Sequence, residues 1–401
     1  MVHQIIRTSF QRLKPIHIGV MLMVPTIVLP MIYFSDNTKE TLPQNRTTAS
    51  QPVSVAVLPG KNIQNNPGLP LIPFLPKSPV VQSAPRAIAY NIAQAPNLKK
   101  NSNLQSVVDS AVGSFQAKGL PIDKLSISLT NLNSSTCQSY ASYQDRSPRF
   151  PASVSKLFWM TALYGKVNQG TLAEGTVSDK TIRKMIQKSD NEAASDVVDA
   201  LTSTTSGEKL LGSDFSQWEM SRTSLNEFFN TAGYQAINVS QKNFPIPKLQ
   251  MTEPQGRDLQ MRGNEATPLR NSLTTYDVNR LVYEIHTRQA ISSEMSDRME
   301  NMMVRDIHPE AWKDEQYNSI AGFLGEKLPL ETYFASKVGW TGSSRQDAAI
   351  IRSVDGQAHY ILVIFGDDKR YADDWEVFPA ISRQIFEQMK SQEFSSCQVV
   401  S

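Results

Sequence analysis

Cysteine is nearly missing from this chain. Only Cys137 and Cys397 occur among 401 residues. Two cysteines build neither a disulfide framework nor a cysteine-based zinc cluster. Whether they pair with each other in an oxidising compartment is left open by the sequence. Histidine is also scarce. The five present (His3, His17, His286, His308, His359) are scattered without an H-E-x-x-H or similar spacing, so no metal site and no cofactor is expected. No G-x-S-x-G segment occurs, so nothing supports a strand-to-helix nucleophile elbow. Charge of one sign is not in excess: the net value is +2, which gives no reason to expect nucleic acid as a partner. Hydrophobic residues make up 40%, slightly low for a wholly globular chain, which implies a polar part outside any core.

Long apolar runs are absent except at the N-terminus. There Arg7, Arg12 and Lys14 precede an uncharged stretch from Pro15 to Phe34, rich in Ile, Val, Leu and Met. Its length suffices for a membrane span of roughly 20 residues. A cationic flank before an apolar run marks an export signal whose positive end stays in the cytoplasm. The following Ser35-Asp36-Asn37 offers no A-x-A cleavage site, so residues 1–34 are expected to act as an uncleaved signal anchor in the cell (inner) membrane. Everything after it would then face the periplasm. Residues 35–100 contain many Pro, Asn, Gln and Ser, as in Pro67-Gly68-Leu69-Pro70, and are expected to form an extended tether with no core.

The folded domain is expected over 101–395. Leu104, Val107, Val108, Ala111, Val112 and Phe115 recur at helical spacing. Leu125 to Leu129 alternates as a strand does, and Tyr140 to Tyr143 is expected to pair with it across the Asn131–Ser135 turn. Further helices are expected over Lys156–Val167, Thr181–Gln187, Glu192–Leu201, Asp277–Thr287 and Trp375–Met389. Strands are expected over Tyr333–Trp340, Asp347–Val354 and His359–Phe365, the last two joined at Asp355-Gly356. This order predicts an α+β fold, with one antiparallel sheet of about five strands flanked by helices, an all-helical lobe, and the first and last helices together on one side.

Three short segments carry chemistry. In Ser153-Val154-Ser155-Lys156 the spacing puts a lysine one helical turn from a serine hydroxyl. A lysine can take the serine proton only when neutral, and burial or a neighbouring cation such as Lys337 lowers its pKa. Alone the spacing is common and describes many solvated helix starts. Here Phe150-Pro151-Ala152 before it and Leu157-Phe158-Trp159 after it point to a buried helix instead. In Ser189-Asp190-Asn191 all three residues make good helix caps, which is their ordinary use. Between a serine–lysine helix and a lysine-led strand, Ser189 becomes a candidate proton relay, Asn191 a substrate-amide partner and Asp190 a brace for the corner. In Lys337-Val338-Gly339-Trp340, glycine admits a substrate backbone close to the strand. The Trp340 and Ser153 N–H groups are candidates for an oxyanion hole. Lys337 and Arg345 are candidates for binding a substrate carboxylate.

In order, these segments match the S-x-x-K, S-D-N and K-T-G boxes, and the chain resembles the serine β-lactamase and penicillin-binding protein superfamily, its class A-like members most closely. The resemblance runs from about Asn101 to Gln392. It includes the run after Asn191 (Glu192-Ala193-Ala194) and an omega-loop-like segment from Asn264-Glu265-Ala266 through Asn271 to Thr274-Thr275. It implies a site between a helical lobe and an α/β lobe, with Ser153 acylated, Lys156 its activator, Ser189 and Asn191 the second wall and Lys337 the third. It implies a β-lactam or a peptidoglycan stem peptide as substrate; the chain is further expected to need no cofactor and to act as a monomer. It also shows departures. Val338 stands where Thr or Ser is usual. Matching the omega loop puts Gln260 where class A enzymes carry the glutamate that activates water, and Gln cannot take a proton at neutral pH. Glu265, Asp258 and Glu253 are the other acids nearby. An insertion is expected between Thr202 and Pro247. The expected enzyme is therefore a membrane-tethered serine hydrolase of the class A β-lactamase type. The alternatives are a D-alanyl-D-alanine peptidase that releases its acyl group slowly, or a weakly catalytic peptidoglycan-binding module.

Overall fold

The computed structural model describes residues 90–133, 138–234, 237–315, 318–392 and 394. The apolar N-terminal run, most of the tether and both cysteines lie outside the described residues. Among the described residues no helix is long and apolar enough to cross a membrane.

In chain order the elements are β1 (Lys99–Lys100), α1 (Ser102–Ala117), β2 (Leu125–Asn131), β3 (Ser139–Tyr143), α2 (Ser155–Asn168), α3 (Asp179–Gln187), α4 (Asn191–Thr202), α5 (Gly212–Asn230), α6 (Gly256–Arg262) and α7 (Thr275–His286). They continue with α8 (Ser293–Met303), α9 (Pro309–Trp312), β4 (Tyr333–Thr341), β5 (Ser344–Arg352), β6 (His359–Gly366), α10 (Lys369–Asp373) and α11 (Val377–Ser391). The strands form one sheet in the order β1-β3-β2-β6-β5-β4. Every pairing is antiparallel except the short β1, which lies parallel to β3.

The sheet is covered on both faces, and the period-2 alternation of its side chains divides two cores. Ile361, Val363 and Phe365 of β6 join Ala335, Ala348 and Ile350 in a core shared with α2, α4 and α7. Tyr360, Leu362 and Ile364 face the other way, with Ile127, Leu129 and Ile351, toward α1 and α11. A strand with cover on both faces reads as a continuous apolar run, as Tyr360 to Phe365 does. The first and last helices do lie together, and Ser114 Oγ donates to Gln384 Oε1 across them. Burying each large apolar side chain contributes about 2 kcal/mol, so these two layers account for most of the driving force.

One expectation needs correction, and one helix was not foreseen. The folded part starts before Asn101. Tyr90 is buried among Phe228, Phe229 and Tyr234, and its hydroxyl donates to Glu284 at 2.7 Å. One aromatic ring that fills a gap in a core outweighs the polar composition around it. The segment between Thr202 and Pro247 carries the 19-residue helix α5. Its buried residues (Trp218, Arg222, Leu225, Phe228, Phe229) do recur at helical spacing, but one of them is an arginine, which a hydrophobic pattern does not count.

Candidate active site

Ser153 lies in a short 3-10 turn, Ala152–Val154, that runs straight into α2. The turn is tight: Ala152 has φ +46°, a region that side-chain-bearing residues rarely occupy. α2 itself is buried on almost every side from Ser155 to Gly165, so it passes through the middle of the helical lobe and carries Lys156 into a fully buried position. Ser189 sits at the corner between α3 and α4, also at positive φ (+54°). Asp190 braces that corner by capping α4, accepting from Ala193 N at 2.7 Å. β4 completes the site from the sheet side.

The side chains converge on Lys156. Its ammonium donates to Ser153 Oγ at 3.0 Å, Asn191 Oδ1 at 2.7 Å and the Ser189 carbonyl at 2.5 Å, with Ser189 Oγ farther off at 3.5 Å. Lys337 donates to Ser189 Oγ at 2.9 Å and to its neighbour's carbonyl, Val338 O, at 2.7 Å. Ser189 therefore bridges two lysines. Burial pushes the Lys156 pKa down to about 7, and only Asp190 pulls against it. Burial, Lys156 and Arg305 push Lys337 well below its usual range, with Asp347 opposing. Two ammonium groups this close, both out of water, do not readily stay protonated together, so one lysine is primed to act as a base. Asp347, across the ladder from Val338, is buried and held by Leu324 N at 3.0 Å, and desolvation raises its pKa to about 7. Arg305 is locked behind it, donating to the carbonyls of Gln187, Ile186 and Ser336.

Gly339 has a steric reason. A Cβ there would lie 2.6 Å from Pro151 O and 3.1 Å from Ser153 N. Only glycine lets β4 come this close to the serine turn, and this contact sets the Gly339–Trp340 backbone beside the Ser153 N–H.

Two cavities meet at Ser153. The larger, about 660 Å³, is lined by Phe244, Phe323, Val338, Trp340 and Trp375 as well as by Ser189 and Asn191. Trp340 and Trp375 meet edge to face with centroids 5.5 Å apart. The smaller, about 280 Å³, runs from Ser153 and Asn191 past Trp340 to Glu253, Arg262 and Arg270. Phe244, Phe323 and Trp375 escaped sequence reading, because an aromatic in a loop carries no signal of where the chain returns.

The structure thus brings together Ser153, Lys156, Ser189, Asn191, Lys337, Gly339 and Trp340. Three expected site residues stand elsewhere. Arg345 is fully buried and donates to the carbonyls of Tyr371, Gly322 and Ala372, stacked against Trp375, so it supports the cavity wall from behind. Gln260 is tied to the main chain of Leu210, accepting from its N–H and donating to its carbonyl, each at 2.8 Å. Glu265 is exposed and lines neither cavity. Asp258 is buried against Arg222. Of the acids in this stretch, only Glu253 reaches a cavity shared with Ser153.

The sequence model of the β-lactamase enzyme family matches residues 175–389, more than half of the chain. The chain belongs to that family. The matched stretch begins after Lys156 and includes the Ser189 corner and β4. Solved structures similar to the chain include PBP-A (17% identity, 75% of this chain and 100% of that one, TM-score 0.48). Others are a β-lactamase from Sphaerobacter thermophilus (16%, 71% and 97%, 0.47) and the TLA-3 extended-spectrum β-lactamase (14%, 71% and 98%, 0.49). A comparison with curated proteins finds no match. As a member of this family the chain is a serine hydrolase, and its fold is the mixed sheet-and-helix architecture described above.

Proposed function

We propose that this β-lactamase-family chain attacks a β-lactam, or a related amide of cell-wall peptides, through an acyl-enzyme on Ser153, and that it forms this intermediate faster than it hydrolyses it. The observation that carries the reading is the 3.0 Å contact between Ser153 Oγ and a lysine whose pKa is lowered to about 7. Neutral Lys156 takes the hydroxyl proton as Ser153 Oγ bonds to the substrate carbonyl carbon. The carbonyl oxygen becomes an oxyanion facing the N–H groups of Ser153 and Trp340. The C–N bond then breaks, and the proton passes from Lys156 by way of Ser189 Oγ to the departing nitrogen. A carboxylate on the substrate returns positive charge to Lys337 and gives the buried pair a counter-ion.

Slow release is favoured by the surroundings of Lys156. Its described partners are Ser153, Ser189 and Asn191, with no carboxylate among them, and Gln260 is held away on Leu210. Glu253 shares the smaller cavity with Ser153 but is not a partner of Lys156, so water attacking the acyl-enzyme is not held between that lysine and a carboxylate base. This favours the peptidase-like alternative over rapid β-lactam turnover. The apolar N-terminal run supports a further part of the proposal, that the domain is held on the extracytoplasmic side of the membrane. Deleting residues 1–34 would then release it from the membrane fraction.

The deciding experiment mixes the protein with a labelled penicillin and follows the bound label by intact mass. An adduct on Ser153, lost in Ser153→Ala and slow to disappear after the free drug is removed, is the expected result. No adduct sinks the acylation reading. Rapid loss of label leaves acylation standing and overturns slow release.

A further inference from the structure

The smaller cavity contains two arginines that the acylation chemistry does not use. Arg262 ends α6, and Arg270 lies in the loop that leads to Asn271. Neither guanidinium makes an ion pair or a side-chain hydrogen bond among the described residues. The buried Nε of Arg262 has no partner, and Arg270 only faces the ring of Phe150. The other charges on this wall do not cancel the pair. Lys242 is already matched by Asp199 at 2.7 Å. Glu253 and Asp258 attract Arg262 while Arg270 repels it, and Asp258 is itself paired with Arg222. An excess of positive charge, half-buried at Arg262 and exposed at Arg270, therefore lines a cavity that opens on the nucleophile. Such a wall is better satisfied by a bound anion than by water alone.

The proposed reaction gives this wall a place in the substrate. A penicillin has two ends, a ring carboxylate and an amide side chain. With the carboxylate toward Lys337, the side chain must leave in the other direction. Asn191 lines both cavities, so an amide held there leads the side chain past Ser153 into the smaller one. We infer that this cavity is an anion subsite in which Arg262 and Arg270 select acyl donors carrying a carboxylate on the side chain. A peptide donor with a free carboxylate near its reactive amide has the same chemistry. The inference rests on the acylation of Ser153 proposed above.

The test compares three penicillins that differ only at the α-carbon of a phenylacetyl side chain: carbenicillin with a carboxylate, benzylpenicillin with hydrogen, and ampicillin with an ammonium group. The second-order acylation rate of the full-length chain is measured for each. The expected order is carboxylate, then hydrogen, then ammonium, with ~10-fold or more between the extremes and a gap that narrows as salt is added. In the double variant Arg262→Gln, Arg270→Gln the ratio between carbenicillin and ampicillin falls toward one. That ratio is indifferent to any general loss of rate. Wild-type rates that ignore the substituent overturn the subsite and leave acylation intact. A carboxylate preference that survives the double substitution also overturns it. No adduct with any of the three overturns acylation itself, and the subsite with it.

Discussion

Lys156 is the residue on which the proposed chemistry turns, and its depressed pKa has a consequence that can be measured. The acylation rate requires the neutral amine. With a pKa of about 7, the neutral fraction grows as pH rises toward 7 and levels off above it. At one pH unit below the pKa only about one molecule in ten is competent, so the rate at pH 6 should be roughly tenfold below its plateau. A stopped-flow pH series checks this, and a flat profile across that range would exclude Lys156 as the base. Gln260 supports a second prediction. Its amide satisfies both the N–H and the carbonyl of Leu210, so Gln260→Glu removes a donor and sets a carboxylate against a carbonyl. The variant should lose about 1–3 kcal/mol of stability in a denaturant titration. It should not release the acyl group faster, because the side chain points away from Ser153. Faster release in that variant would mean that the loop re-threads. Val338 and Ser189 were readable in sequence as members of their boxes. The displaced roles of Arg345 and Gln260 were not, because both depend on which main-chain carbonyls happen to surround them.

β4 and the serine turn act as one element. Pro151, Ala152 and Ser153 touch the strand only because Gly339 has no side chain. In Gly339→Ala the new methyl must displace the Pro151 carbonyl, which is main chain and yields only if the whole turn moves. An ångström of misplacement at a nucleophile costs on the order of 100-fold in rate. Acylation of Ser153 should fall by about that factor while thermal unfolding shifts far less, and a wild-type acylation rate would show that the contact does not position the turn. The helices α1, α2, α4 and α7 were legible from the spacing of their apolar residues, and the hairpin from β5 to β6 was legible from Asp355-Gly356. The helix α6 was not, since its few turns bury only Asp258 and Met261 and owe their place to the neighbours they meet.

The molecule as a whole extends farther upstream than its composition suggests. Tyr90 donates to Glu284, which also accepts from Tyr234 at 2.6 Å and from Arg280 at 2.8 Å, so one carboxylate ties the start of the domain to α7 and to the loop after α5. Removing residues 1–100 should therefore destabilise the protein by about 3 kcal/mol or more, through the lost aromatic and a carboxylate left short of a donor. Removing only residues 1–80 should not. Thermal melts of the two truncations distinguish the outcomes, and equal melting temperatures would place the boundary at Asn101 after all. At this scale the division between sequence and structure is plain. The sequence by itself picked out the residues that the structure brings together, because a serine one turn from a lysine, a capping corner and a lysine-glycine strand are local patterns with local causes. It also determined the layered fold, because hydrophobic period is local as well. Only the tertiary structure decided how charged the site is and what surrounds it. Burial lowers Lys156 and Lys337, Arg345 lies behind the wall, Gln260 is tied to Leu210, and Arg262 and Arg270 line a cavity beside Ser153. Each depends on residues far apart in the chain whose distances no spacing records.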